Sequence, residues 1–268
     1  MRQSAATLEA FYASRLGRAA ADRMGQRMID LWGPCKGDAV LIIGYPSPIL
    51  RLWEGSARAC VGAVPDELGE VRYDSPRGGV VVMAPEHRLP FSDGGFDRIV
   101  LLHALEEADS PRLLMREAWR LLAPEGRIIV AAANRKSLWS LSESQAFGHG
   151  RPWTRQQLSR FMTGSLFHVT ASTTAVHMPP LNWSLITGAS KSWERAGELI
   201  TPGLGGVVLV EAVKRLYAKP GGSAGAVVTD AVKASKGRPA LPRKEAAPRN
   251  RTSISHRPID VPARTDTL

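Results

Sequence analysis

Seven short apolar runs, each closed by a breaker, set the strongest limit on what this chain can fold into. They span residues 40–43, 59–64, 80–83, 99–102, 128–133, a more polar 168–176, and 207–210. The early runs do not alternate polar and apolar residues. Continuous apolar runs of this length suit strands buried on both faces, as in a parallel sheet. Helical periodicity fills the stretches between them at 48–57, 110–122 and 154–165. Strands alternating with helices predict an α/β protein with a doubly wound sheet and helices on both faces.

The ends of the chain read differently. Residues 4–32 predict an amphipathic helical region with Leu8, Phe11, Tyr12, Leu16, Ala19 and Ala20 on one face, continued by Met24, Met28 and Trp32. Gly33-Pro34 ends it. Of the formal net charge of +10, residues 219–268 carry +6, from ten Lys/Arg against four Asp/Glu. That tail is rich in Pro, Gly, Ala and Ser and poor in aromatic residues. Such a composition buries too little apolar area to offset ordering entropy, so a basic disordered tail is expected. The organisation predicted is a helical cap at 1–35, an α/β domain at 36–218 and the tail at 219–268. Its charge suits either a solvated tail or a weak electrostatic grip on nucleic acid or anionic lipid.

No run is long and apolar enough for a membrane span, and the first residues lack the apolar stretch of a secretory signal. The two cysteines, Cys35 and Cys60, have no metal-ligand spacing, and the six histidines are scattered. A cytoplasmic protein without a metal site is expected. Local signals mark three helix starts. Ser47-Pro48 and Ser110-Pro111 each read as an N-cap followed by a proline in the first helical position. Thr154 with Gln157 reads as a capping box.

The segment from Leu89 to Arg135 carries a family signature. Its tokens are Leu89-Pro90-Phe91, Phe96-Asp97 entering the fourth strand, His103-Ala104-Leu105-Glu106 leaving it, Arg116-Glu117 in a helix, and Leu122-Ala123-Pro124-Glu125-Gly126 before the fifth strand. In this it resembles the class I S-adenosylmethionine (SAM)-dependent methyltransferases, and more narrowly those that methylate small molecules. With the flanking strands the resemblance covers about residues 36–217. It implies a Rossmann-like, seven-stranded sheet whose last strand is antiparallel, with SAM across the C-terminal ends of strands one to four. An open α/β sheet places its crevice there on general grounds as well.

The resemblance also implies the contacts. Gly44, Tyr45 and Pro46 occupy the turn after the first strand, where the family brings glycine backbone close to the amino-acid end of SAM. Gly44 keeps the first glycine place, but Pro46 and Pro48 stand in the next two. A proline fixes φ and removes an N–H donor. Val64 stands where the family carries a ribose-binding acid; Asp66 and Glu67 follow shortly after. Ala84 and Glu86 close the third strand on the adenine side. His103 leaves the fourth strand near the expected sulfonium and is one catalytic candidate. His149, in the loop Gln145-Ala146-Phe147-Gly148-His149-Gly150-Arg151-Pro152-Trp153, is the other, as a general base. In that loop Trp153 either stacks on an acceptor or staples the next helix. Phe11-Tyr12-Ala13-Ser14-Arg15 either covers the same opening, as the resemblance implies for an N-terminal helix, or packs on the core through its amphipathic face.

Three readings follow. The first is SAM-dependent methylation of a small-molecule acceptor. The second is a methyltransferase-like fold that binds or regulates without catalysis. The third is a nucleic-acid methyltransferase that captures its substrate through the basic tail.

Overall fold

A computed structural model describes residues 3–71, 73, 79–141, 146–180, 193, 197 and 203–215. The predicted tail at 219–268 and Gln145 lie outside the described residues. In chain order the elements are α1 (Ala5–Ala13), α2 (Arg15–Trp32), β1 (Ala39–Gly44), β2 (Ala59–Val64), β3 (Val80–Met83), β4 (Phe96–Leu102), α3 (Pro111–Leu121), β5 (Leu122–Ala133), α4 (Arg155–Gly164), β6 (Phe167–Ala175) and β7 (Val207–Lys214). All seven apolar runs are strands. They form one sheet in the order β3-β2-β1-β4-β5-β7-β6. The pairs among β3, β2, β1, β4 and β5 are parallel, whereas β7 runs antiparallel to both β5 and β6.

The central strands are covered on both faces, which is why they lack alternation; β3, at the edge of the sheet, departs from the expectation and exposes Val80 and Met83. Leu41, Ile43, Ile99, Leu101, Ile128 and Val130 pack with Leu114, Met115 and Ala118 of α3 and Leu158 and Met162 of α4. The intervening Val40, Ile42, Val100, Leu102, Ile129 and Ala131 face the other way, against Leu16, Met24, Met28 and Trp32 of α2. Each fully buried Leu, Ile or Met of this kind stabilises the fold by about 1.5–3 kcal/mol relative to an exposed one.

Part of the family signature is fold mechanics. Glu117 accepts from the Leu89 N–H at 2.7 Å and from Arg120 at 2.6 and 2.9 Å. Arg120 also donates to the carbonyls of Phe91 and Leu89 and to Asp93, clamping the loop before β4 onto α3. Asp97 accepts from the Ala39 N–H at 2.8 Å and so ties the start of β1 to β4.

Four local expectations change. The N-terminal helical region breaks at Ser14, which ends α1 and caps α2 by accepting from the Gly17 N–H. Ser110 precedes α3, but its hydroxyl makes no cap hydrogen bond; Pro111 alone supports that start. Strand β5 begins directly at Leu122, so Leu122-Ala123-Pro124-Glu125-Gly126, expected before the fifth strand, lies within it, with a register shift opposite Phe96 and Arg98. The helix expected at 48–57 does not form. A single 3-10 turn, Leu50–Leu52, stands in its place. Pro46 and Pro48 disfavour helical backbone at the residues before them, and the stretch from Ile49 to Gly55 is too short to nucleate a helix alone. The capping box at Thr154 and Gln157 is present as read.

Candidate functional site

The turn after β1 folds back on its own sheet. Gly44 has φ of 109°, and a Cβ there would lie 2.0 Å from the Leu102 carbonyl oxygen. Only glycine fits so close an approach at positive φ. The Tyr45 N–H donates to that same Leu102 carbonyl at 2.9 Å. The Pro46 carbonyl accepts from the amides of Ile49 and Leu50 at 3.1 and 2.9 Å, closing the 3-10 turn. The Pro46 ring rests on Gly62 of β2, where a Cβ would meet it at 2.8 Å. Every main-chain group of this turn named here is satisfied by the protein itself.

Above the turn sits α1. Leu8 and Tyr12 of α1 pack with Tyr45, Val64, Leu68 and Ala146 in a buried cluster over the ends of β1 and β2. The Tyr12 ring stacks on Tyr45 with centroids 5.8 Å apart and planes 16° from parallel. Its hydroxyl lies 2.7 Å from Nε2 of His103. His103 leaves β4 with φ of 50°, an uncommon backbone state for a residue other than glycine. It is 1% exposed and lies face-on to Phe147 at 5.0 Å. Its Nδ1 is 3.6 Å from Oε1 of Glu106, itself buried.

Burial lowers the pKa of His103 from 6.5 to about 3, so the ring is neutral at ordinary pH. A neutral imidazole carries one N–H. We place it on Nδ1, facing Glu106, so that Tyr12 O–H donates to Nε2. Burial first, then the nearby Tyr45 and Glu106, holds the Tyr12 phenol protonated. The arrangement is a buried cluster of Tyr12 from α1 with His103 and Glu106 from the loop that leaves β4.

The sequence-predicted residues divide into groups. Tyr45 and His103 come together on Tyr12, and Gly44 packs against Leu102 and Ala104 at the same strand ends. Ala84 and Glu86 are also buried, but at the end of β3, two strands from β1. The Ala84 N–H donates to the Val64 carbonyl at 3.1 Å. Val64 is fully buried beneath α1, and Asp66 and Glu67 turn away in the 3-10 turn Asp66–Leu68 as exposed residues. His149 is half-buried and makes no hydrogen bond among the described residues. Its loop is tacked down by the Arg151 N–H to the Glu106 carbonyl at 2.7 Å. Trp153 packs on Phe161 of α4 at 5.0 Å, the stapling role. Asn134 is structural as well, donating to the carbonyls of Gly203 and Gly205. Sequence reasoning missed the convergence of Glu106, Phe147 and Tyr12 on His103. The His103-x-x-Glu106 spacing was the available signal.

As folded, this crevice does not fit SAM. Tyr12 and Leu8 pack over Tyr45 and Val64 at the strand ends, Tyr12 also reaches His103, the Tyr45 amide is already used, Pro46 offers no N–H, and Val64 offers no carboxylate to a ribose. An open cleft of about 490 Å³ lies beside the turn, lined by Glu9, Tyr12, Tyr45, Ser47, Arg51 and Tyr73 among others.

Residues 53–130 match the family described as "Methyltransferase domain". These residues include β2, β3 and β4, α3 and most of β5. No curated protein sequence matches the chain. Solved structures of the same fold include a SAM-dependent methyltransferase of Thermotoga maritima described as a possible histamine N-methyltransferase, with TM-score 0.55 and 18% identity over 77% of this chain and 94% of that one. A chain from the complex of the Haloferax volcanii Trm112 methyltransferase activator with a candidate methyltransferase gives TM-score 0.57 and 16% identity over 80% and 95%. The [4+2]-cyclase SpnF gives 0.51 and 17% over 73% and 81%. The fold of this chain is therefore that of the class I SAM-dependent methyltransferases, in the Rossmann-like form with an antiparallel last strand.

Proposed function

We propose that this chain transfers a methyl group from SAM to a small-molecule acceptor, and that α1 gates the reaction by occupying the donor crevice at rest. The match of residues 53–130 to the methyltransferase domain carries this reading, because that segment supplies β2 to β4, which border the crevice. The fold by itself does not, since a cyclase shares it. SAM supplies an activated methyl for in-line displacement, which asks the protein for positioning more than for acid or base. The chain's own part is to withdraw Tyr12 from His103 and so vacate the space over Gly44. Neutral His103 is then free to accept a hydrogen bond through Nε2.

A second reading, a closed module without catalysis, is favoured by Val64 and by the prolines of the turn. Calorimetry on the full chain separates the two. S-adenosylhomocysteine should bind weakly to the wild type and at least about tenfold more tightly to Tyr12→Ala, which removes the competing ring. Absence of heat with both proteins, each shown to be folded by circular dichroism, would sink the enzymatic reading.

A further inference from the structure

The sheet face opposite α2 carries a second feature, which the donor crevice does not use. Helices α3 and α4 border an open groove of about 620 Å³ lined by Arg112, Arg116, Trp119, Arg160, Phe161 and Leu166, among others. We propose that this groove binds single-stranded nucleic acid, with the arginines on phosphates and the aromatic rings against bases.

The charges are placed at a cost that an anion would remove. Arg112 and Arg116 are one turn apart on α3, so two like charges share one helix face. Arg112 sits in the first turn of α3, which holds no acidic residue and where the helix dipole disfavours a cation. Arg160 faces them from α4, whose first turn also lacks an acid. All three side chains are exposed, and none forms an ion pair among the described residues. The nearest carboxylate on α3, Glu117, is committed to Arg120 and to the Leu89 amide. Guanidinium groups match phosphate oxygens with paired N–H donors.

The floor explains why a polynucleotide is favoured over an acidic peptide. Trp119 is fixed edge-on to Phe167 at 5.0 Å, and Phe161 is fixed against Trp153. Their half-buried rings are held in place before any ligand arrives. Lys214 lies 5.3 Å from the Trp119 ring centroid and donates to the Trp119 and Leu122 carbonyls, which helps hold that ring. A Cβ at Gly164 would meet nothing within 4 Å, so the groove is open at that point. Aromatic faces beside a cationic track are the elements that hold unpaired bases without sequence preference. Bases paired in a duplex would not reach the rings.

The site is independent of the donor crevice, so the two proposals fail separately. The test is fluorescence anisotropy of a labelled oligouridine with the full chain, across a salt series. Replacing Arg112, Arg116 and Arg160 together by Ala should weaken binding at least about tenfold at moderate salt. It should also lower the slope of log K against log salt by about 2, the value for three phosphate contacts on a single strand. A control with Lys36, Arg88 and Arg151 replaced by Ala removes the same charge elsewhere and should leave most of the binding. Equal loss in the two variants, or no loss in the groove variant, overturns the site. A poly-glutamate peptide that binds as tightly and depends on the same three arginines overturns the assignment to nucleic acid. Circular dichroism confirms that both variants are folded.

Discussion

A neutral imidazole buried against a tyrosine hydroxyl couples the stability of this chain to pH. The ordinary value for His103 is 6.5 and the folded value is about 3, lowered by burial. Above the higher value neither state binds the proton. Below it, the unfolded chain takes up a proton that the folded chain refuses, so stability is lost as pH falls through this window. The loss from this residue approaches about 1.4 kcal/mol per pH unit. Replacing His103 by Gln should flatten that part of the dependence, as read from urea midpoints at about pH 7 and about pH 4. An identical slope in the variant would contradict the buried neutral state. His103 itself was legible from the sequence, because it stands in the family signature at the end of a strand. Its partner was not. Tyr12 lies 91 residues away, and nothing in local spacing marks one member of a helical apolar face as the one that meets a histidine. The cysteines were simpler. Cys35 and Cys60 are buried and their thiols are pushed up to about 11 and about 12, as inert core residues should be.

At the scale of elements, the antiparallel edge is held by a buried carboxylate. Glu211 of β7 is 4% exposed and accepts from Trp32 of α2 at 3.1 Å, Arg127 of β5 at 2.9 Å and Thr170 of β6 at 2.8 Å. One side chain therefore joins three strands and a helix. Glu211→Ala should lower the unfolding free energy by about 3 kcal/mol, because it strands buried donors while Arg127 keeps partial access to water. Chemical denaturation measures it; a loss below about 1 kcal/mol would show that the donors find other partners. The strands were readable because burial on two faces leaves a run that needs no alternation. The connection from β1 to β2 was misread for a definite reason. Ser47-Pro48 satisfies the local rules for a helix start, but Pro46 two residues earlier sets the backbone, and its carbonyl captures the amides of Ile49 and Leu50 before a helix can continue. The donor crevice was legible as a location, and residues 11–15 as a segment that either covers it or packs on the core; that Tyr12 does both, against Tyr45 and His103, needed the fold.

Over the whole molecule, Ser14 is where the cap divides. Helix α2 is eighteen residues long and is part of the core beneath the sheet; α1 has nine and rests on the crevice. Helices shorter than about 12–15 residues are marginal in water without a surface to pack on. Under the proposed gating, α1 would thus not swing aside as a rigid piece; it would melt. Adding S-adenosylhomocysteine to the full chain should then speed amide exchange across Ala5–Ala13 while slowing it in β1 and β4. Slower exchange in all three would mean that ligand binds with α1 still folded. A melting cap makes the ligand a denaturant of one helix and a stabiliser of the rest. The local folding free energy of α1 then sets the donor concentration below which the protein stays shut.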